Sequence, residues 1–210
     1  MKTEVVDAGS VAGRRRAVEI VRSGGLIVFP TDTVYGLAAD PWDEKAVRSL
    51  YEVKERPGDL PIPLLLSDAD QLDRVAVLPE GCQGLPERYW PGGLTLVVPK
   101  ADTISEAISG RATVALRVPD HPVARGLIRE AGGVLAVTSA NVSGHSSPVT
   151  AREVEVQLGG RIPLILDGGP CPIGQASTIV DCSVSPPHLL RRGAISEGDL
   201  RAAIGAIGLA

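Results

Sequence analysis

The sequence predicts an α/β domain, α+β in its details, with a twisted mixed sheet flanked by helices. Three observations carry this. Short apolar runs without alternation, at residues 26–30, 62–66, 134–137 and 162–166, have the pattern of strands buried on both faces. Between them lie amphipathic stretches with helical spacing, closed by glycine pairs or by proline. No linker, repeat or low-complexity segment divides the 210 residues, so one domain over 1–210 is expected, without a second C-terminal domain.

Composition narrows the class further. At 44% hydrophobic the chain can bury a full core, made of Leu, Val, Ile and Ala because aromatics are only 3%. That scarcity disfavours a stacking platform for single-stranded nucleic acid. A net charge of −4 provides no global basic field, leaving at most a local basic groove. Cys82, Cys171 and Cys182 lack C-x-x-C spacing and His121, His145 and His188 are scattered, so neither a disulfide framework nor a Cys/His metal site is indicated. No apolar run approaches the roughly 18 residues of a membrane span, and the N-terminus lacks a signal-peptide pattern. A reduced cytoplasm is the expected location.

Taken in order, residues 11–23 have helical spacing through Val11, Ala17, Val18 and Val21, with Arg14, Arg15 and Arg16 as a solvated face and Gly24-Gly25 as a stop. The strand at 26–30 ends in Thr31-Asp32-Thr33-Val34-Tyr35-Gly36-Leu37, a polar segment at the carboxyl end of a buried strand, where open α/β sheets carry binding residues. Asp43 caps a helix with Ala46, Val47, Leu50 and Val53 on one side, and Pro57 bars its continuation. After the strand at 62–66, a turn at 67–70 leads into a short helix. Residues 79–91 favour a helix ahead of the Trp90-Pro91-Gly92-Gly93 turn, strand 94–98 follows, and 103–108 is a weak helix closed by Gly110.

Strand 113–118 alternates, with Val114, Leu116 and Val118 on one face and Thr113, Ala115 and Arg117 on the other. A helix at 121–131 stops at Gly132-Gly133 before the strand at 134–137. Thr150 and Glu153 form a capping box for a helix reaching Leu158. Strands are expected at 162–166, at 177–180 with Ser177 and Ile179 on one face, and at 188–191. Ser196 caps a last helix with Leu200, Ala203, Ile204 and Ile207.

Two buried strands thus run straight into hydroxyl and amide side chains, at 31–35 and at Thr138-Ser139-Ala140-Asn141-Val142-Ser143-Gly144. The second segment is read equally well as an ordinary polar turn. Arg117, beside the small Ala115 and Thr113, suits either an anion groove or, alternatively, a surface position or a structural ion pair. Lys54, Arg56 and Arg191 stand at the ends of elements, and discrete cations with Ser and Thr donors suit a triphosphate or a carboxylate. The Walker loop, G-x-G-x-x-G and G-x-S-x-G motifs are absent, as are a Ser-His-Asp order, a motif of paired acid-base carboxylates and an activated Cys. Catalysis, if present, rests on positioning and electrostatic stabilisation. From residues alone, an enzyme and a binding module both stay open.

Seven blocks sharpen this: FPTDTVYGL at 29–37, KERP at 54–57, WPGGLT at 90–95, ALRVP at 115–119, SANVSG at 139–144, STIVD at 177–181 and LRRGAI at 190–195. In this combination and order the chain closely resembles the YrdC-like family of L-threonylcarbamoyladenylate synthases. The resemblance implies a mixed sheet around a large cationic cavity. It also implies an enzyme joining L-threonine, bicarbonate or CO2, and ATP into threonylcarbamoyl-AMP and pyrophosphate. A separate tRNA threonylcarbamoyl transferase complex then modifies the adenosine beside the anticodon. By position, the resemblance assigns Tyr35, Arg117 and Ser177 to threonine, with Thr33 beside them and Val137 offering backbone groups. It assigns Arg56, Ser139, Ser147 and Arg191 to ATP, with Asn141 nearby and Thr113 near the nucleotide through its backbone. Thr31 completes the polar cluster, and Lys54 and Arg56 are the catalytic cations that offset phosphate charge. Mg2+ is expected with ATP, held by phosphate and water without a protein ligand motif.

Relatives bring an Asn and then a His towards the substrates just after the Lys-x-Arg-Pro block. Leu60 and Leu65 stand at those places here, with an extra Pro63, so those contacts are not carried over. The resemblance also admits a noncatalytic double-stranded RNA- or ribosome-binding module, and a relative with a different carbamoyl acceptor, as in carbamoyl-transferring maturation proteins.

Overall fold

Helix starts in this chain are set locally. A computed structural model describes residues 2–209. In it α1 (Val11–Arg22), α2 (Glu44–Lys54), α4 (Pro122–Glu130), α5 (Ala151–Leu158) and α6 (Glu197–Ile204) begin at Ser10, Asp43, His121, Thr150 and Ser196 respectively. Each cap's side chain accepts from a backbone N–H of the first turn, worth about 1 kcal/mol apiece. The capping box at Thr150 is shifted by one: Glu153 accepts from Val149 N at 2.7 Å. A short α3 (Gly84–Tyr89) and a 3-10 turn at Ala69–Arg74 complete the helical segments.

The strands are β1 (Glu4–Asp7), β2 (Ile27–Phe29), β3 (Gly36–Ala39), β4 (Leu64–Leu66), β5 (Leu94–Pro99), β6 (Thr113–Arg117), β7 (Val134–Ser139), β8 (Leu164–Asp167), β9 (Thr178–Asp181), β10 (His188–Arg191) and β11 (Gly208–Leu209). They form an 11-stranded mixed sheet in the order β1-β8-β2-β3-β7-β4-β6-β5-β9-β10-β11. Period-two alternation sorts the central side chains between two cores. Ile27, Phe29, Leu65, Leu135 and Val137 pack with Ala17, Val18, Val21, Ala124, Leu127 and Ile128 of α1 and α4. Val28, Leu64, Leu66 and Ala136 turn the other way and join Leu50, Leu94, Leu96 and Leu116. Burying each such aliphatic side chain contributes about 1.5–3 kcal/mol, which is what fixes register in the middle of the sheet.

Several expectations are corrected. Residues 103–108 are turns, held by i to i+3 bonds such as Ile104 N to Ala101 O at 3.0 Å and Ile108 N to Ser105 O at 3.1 Å. So short a segment cannot offset helix nucleation, and buried Ile104 and Ile108 anchor it instead. The strand expected at 62–66 is trimmed to β4 by Pro61 and Pro63. β1, β3 and β11 were not anticipated, and Ile207, expected on the last helix, lies beyond the end of α6 at Ile204. β3, Gly-Leu-Ala-Ala, has weak strand propensity, and its form is imposed by antiparallel neighbours β2 and β7. Gly36 is needed there, because a Cβ would lie 2.7 Å from Val137 Cγ1. No described helix is long and apolar enough to cross a membrane.

Candidate active site

The sheet opens on one side into a cavity of about 410 Å³. Its floor is one face of three neighbouring strands: Thr95 and Val97 of β5, Thr113, Ala115 and Arg117 of β6, and Ile179 and Asp181 of β9, with Ser177 just ahead. Register ties them together, Val97 lying opposite Ala115 on one side and Asp181 on the other. The walls come from the β2–β3 loop, the end of β7 with Ser147, Arg56 with Pro61, Pro63 and Leu65, and the end of β10. The expected alternation of β6 is therefore what aims Arg117 into the cavity.

At the deep end Arg117 is only 6% exposed and donates three ways. Its Nε reaches Gly92 O at 2.8 Å, Nη1 reaches Thr33 Oγ1 at 2.6 Å, and Nη2 meets the carboxylate of Asp32. Arg117 is not a surface residue: it faces the cavity and at the same time forms a buried ion pair. Burial pulls its pKa down and Asp32 pushes it back, so a guanidinium stays charged there. Asp32 Oδ2 is buried without a partner among the described residues. Thr31 stiffens this loop, its Oγ1 donating to Val34 O at 2.7 Å and accepting from Thr33 N at 3.1 Å.

Ser177 is fixed from two sides. Thr95 Oγ1 lies 2.7 Å from its Oγ, and Arg191 donates to its carbonyl at 2.9 Å and its hydroxyl at 3.0 Å. This closure depends on Gly193, where a Cβ would sit 2.6 Å from the Ala176 carbonyl oxygen and closer still to the Ser177 and Thr178 backbone. Burial, and then Arg117, lower the pKa of Arg191, so two cations sense each other across the deep end. Arg56 follows Glu55, which ends α2 in the left-handed region at φ 53°, a conformation costing a non-glycine residue on the order of 1 kcal/mol. Its guanidinium donates to Leu60 O at 3.2 Å and Pro61 O at 3.0 Å. The hydroxyls of Ser139 and Ser147 line the wall and have no partner among the described residues.

Thr31, Thr33, Tyr35, Arg56, Thr113, Arg117, Val137, Ser139, Ser147, Ser177 and Arg191 are thus brought to one cavity. Lys54 and Asn141 are not. Lys54 is 1% exposed and its ammonium lies behind the wall, donating to the carbonyl of Ser139, to Asn141 O at 2.6 Å and to Asn141 Oδ1 at 3.5 Å. Burial, with a smaller push from Arg56, lowers its pKa to about 7. Asn141 bridges Val142 O and His145 O. The expected meeting of Lys54 with phosphate is not seen in this arrangement, where its ammonium is spent on the Ser139 and Asn141 oxygens. Tyr35 lines the cavity, but its hydroxyl donates to Gly169 O at 2.8 Å and contacts Asp167 Oδ1 at 3.3 Å. That hydroxyl is occupied by the loop after β8, and burial raises its pKa.

Sequence reasoning missed Thr95, Arg111 and Asp181 as lining residues. Thr95 and Asp181 could have been found by extending the alternation of their strands one step. Arg111 lies in a loop without a local signal. Of the two positions that depart from relatives, Leu65 with Pro63 forms an apolar wall, while the Leu60 side chain is exposed and only its carbonyl serves Arg56. Among the described residues no group of three or more His, Cys, Asp or Glu could hold a metal ion.

The fold and site define an α/β domain whose cavity gathers guanidiniums and hydroxyl residues over a part-apolar floor. The chain belongs to the Sua5/YciO/YrdC family: its family model, described as "Telomere recombination", matches residues 19–193. It is 45% identical over 195 residues to the threonylcarbamoyl-AMP synthase of Bacillus subtilis, covering 91% of this chain and 56% of the relative. It is 40% identical over 200 residues to a putative threonylcarbamoyl-AMP synthase of Mycobacterium tuberculosis, covering 92% of each. The structure of P. abyssi Sua5 complexed with L-threonine superposes with a TM-score of 0.95 at 38% identity, covering 99% of this chain and 63% of that one. The chain therefore spans little more than half of the Bacillus relative it matches.

Proposed function

We propose that this chain makes threonylcarbamoyl-AMP and pyrophosphate from L-threonine, bicarbonate or CO2, and ATP, acting as one catalytic domain. The observation that carries this reading is the meeting of two kinds of group in one cavity. Arg117, Thr33 and Ser177 form a buried polar pocket suited to an amino acid, and Arg56, Arg191, Ser139 and Ser147 are cations and hydroxyls suited to phosphate. The Pyrococcus relative with L-threonine bound supports the first half. The product would pass to a separate tRNA threonylcarbamoyl transferase complex in the cytoplasm.

Chemically, the threonine nitrogen adds to the carbon of CO2, losing a proton and giving a carbamate. A carbamate oxygen then attacks the α-phosphorus as the bond to the pyrophosphate oxygen breaks. Among the described residues no Cys, His or Lys lines the cavity to act as nucleophile or to activate a hydroxyl, so the chain's part is alignment and charge. Guanidinium donors of Arg117 not used on Gly92, Thr33 and Asp32 hold the threonine carboxylate. Arg56 and Arg191 offset charge on the leaving phosphate, and the Lys54 clamp holds the Ser139 segment in place. Magnesium entering with ATP fits this donor set, since phosphate oxygens and water can carry it beside Ser139 and Ser147 hydroxyls. When bound it supplies further neutralisation of phosphate charge.

Incubation with ATP, bicarbonate and single amino acids, followed for pyrophosphate and for the adenylate by mass spectrometry, tests this. Threonine-dependent turnover is expected. Turnover with another acceptor in place of threonine, or none with any, would overturn it.

A further inference from the structure

Four guanidiniums line the cavity, those of Arg56, Arg111, Arg117 and Arg191, against one carboxylate, Asp181, among the described residues. A polyphosphate is drawn to the guanidiniums and repelled by the carboxylate, so the floor immediately around Asp181 suits a hydrogen-bond donor better than a phosphate. Asp181 shares its row of the floor with Val97 and Ala115. It lies two residues along and two strands across from Arg117, about 12 Å at ordinary sheet spacings. Val97, Ala115, Ile179 and Leu190 line the cavity beside it, with Thr113 at the start of β6 and Arg111 just ahead of it beyond that row.

The carboxylate is held rather than free to rotate. Its Oδ1 accepts from Ser183 N at 2.8 Å and from Ser183 Oγ at 2.6 Å. Its other oxygen has no partner among the described residues. A flat apolar surface ending in one oriented acceptor is the arrangement that recognises an amino group on a planar heterocycle. We propose that Asp181 accepts a hydrogen bond from the exocyclic amine of the ATP base, making the cavity select adenine over guanine. Guanine places a carbonyl oxygen on that edge, which would face the carboxylate unpaired. This rests on the nucleotide reading above.

The test is equilibrium binding of four nucleotides to the wild type and to Asp181→Asn: ATP, GTP, purine riboside triphosphate, which lacks the amine, and 2′-deoxyATP. Asn retains an acceptor for the Ser183 turn, and threonine binding, expected to be unchanged, reports an intact fold. The wild type should bind purine riboside triphosphate about 10- to 100-fold more weakly than ATP, the range for a hydrogen bond to a charged group. In Asp181→Asn that gap should close to within about threefold, and the preference for ATP over GTP should shrink by about tenfold or more. The same gap in both proteins would overturn the assignment while leaving the synthase reading intact. A gap that closes for 2′-deoxyATP instead would overturn it in favour of a ribose contact. Failure of the wild type to bind ATP at all would sink the synthase reading and this inference together.

Discussion

Arg117 and Lys54 are both buried cations, yet the molecule uses them in opposite ways. Arg117 has a carboxylate partner, Asp32, 85 residues away in sequence, and still faces the cavity. Among the described residues Lys54 has no carboxylate partner, only the Ser139 and Asn141 oxygens, and it is walled off from the cavity. A paired guanidinium keeps its charge and has donors to spare for a ligand. Burial, and then Arg56, lower the pKa of Lys54 to about 7, and it serves as a brace. The difference separates a cation that faces the cavity from one that holds part of its wall from behind.

The largest expected effect comes from breaking the first arrangement. Arg117→Ala leaves Asp32 buried and unpaired, costing about 3–5 kcal/mol. It should also raise the threonine KM by roughly 100-fold or more while changing the ATP KM by less than about threefold. Pyrophosphate-release kinetics with each substrate varied in turn distinguish the two, and equal shifts would refute the threonine role. Arg117→Lys should recover stability in part but little of the threonine affinity, because a point charge cannot reproduce the fork.

Breaking the brace should cost less. Lys54→Met leaves the Ser139 and Asn141 carbonyls without their donor, for a loss of about 2 kcal/mol in denaturant unfolding. Activity should fall through a weaker hold on ATP more than on threonine, about tenfold in kcat/KM for ATP. A loss confined to threonine would show that the Ser139 segment is not on the phosphate side.

The same lysine predicts a pH dependence. Burial lowers its folded pKa to about 7, whereas the unfolded chain keeps the proton up to the ordinary value of about 10.4. Between these pH values the unfolded state binds more protons, so stability rises with pH across that window. The stability of the wild type relative to Lys54→Met should therefore increase from pH 7 towards pH 10, and a difference that is flat or falls would contradict the assignment. Tyr35→Phe should have the smallest effect. Its hydroxyl serves Gly169 and Asp167, so about 1–2 kcal/mol of stability is lost and the threonine KM moves less than about threefold. A tenfold rise would place that hydroxyl on the substrate.

How much was legible in the sequence follows the range of the forces involved. Asp43, Thr150 and Ser196 act within one helical turn, and each caps the helix expected of it. Alternation within five residues told which way Arg117 points. The two hydroxyl-rich segments, at 31–35 and after β7, do meet at one cavity. What was misread depends on neighbours distant in the chain. β3 is a strand because β2 and β7 pair with it, and residues 103–108 are turns because their two isoleucines are claimed by the core.

By itself the sequence determined the helix starts, the buried strands, the orientation of β6 and, through its ordered blocks, the family. Those are matters of local hydrogen bonding and of side-chain period. Only the tertiary structure decided that Asp32 and not solvent partners Arg117, that Lys54 turns inward while Arg56 two residues later reaches the cavity, and that Asp181 is the carboxylate among the lining residues. A cation's role depends on which acceptor the strand order brings to it, and strand order is settled by burial summed over the whole sheet.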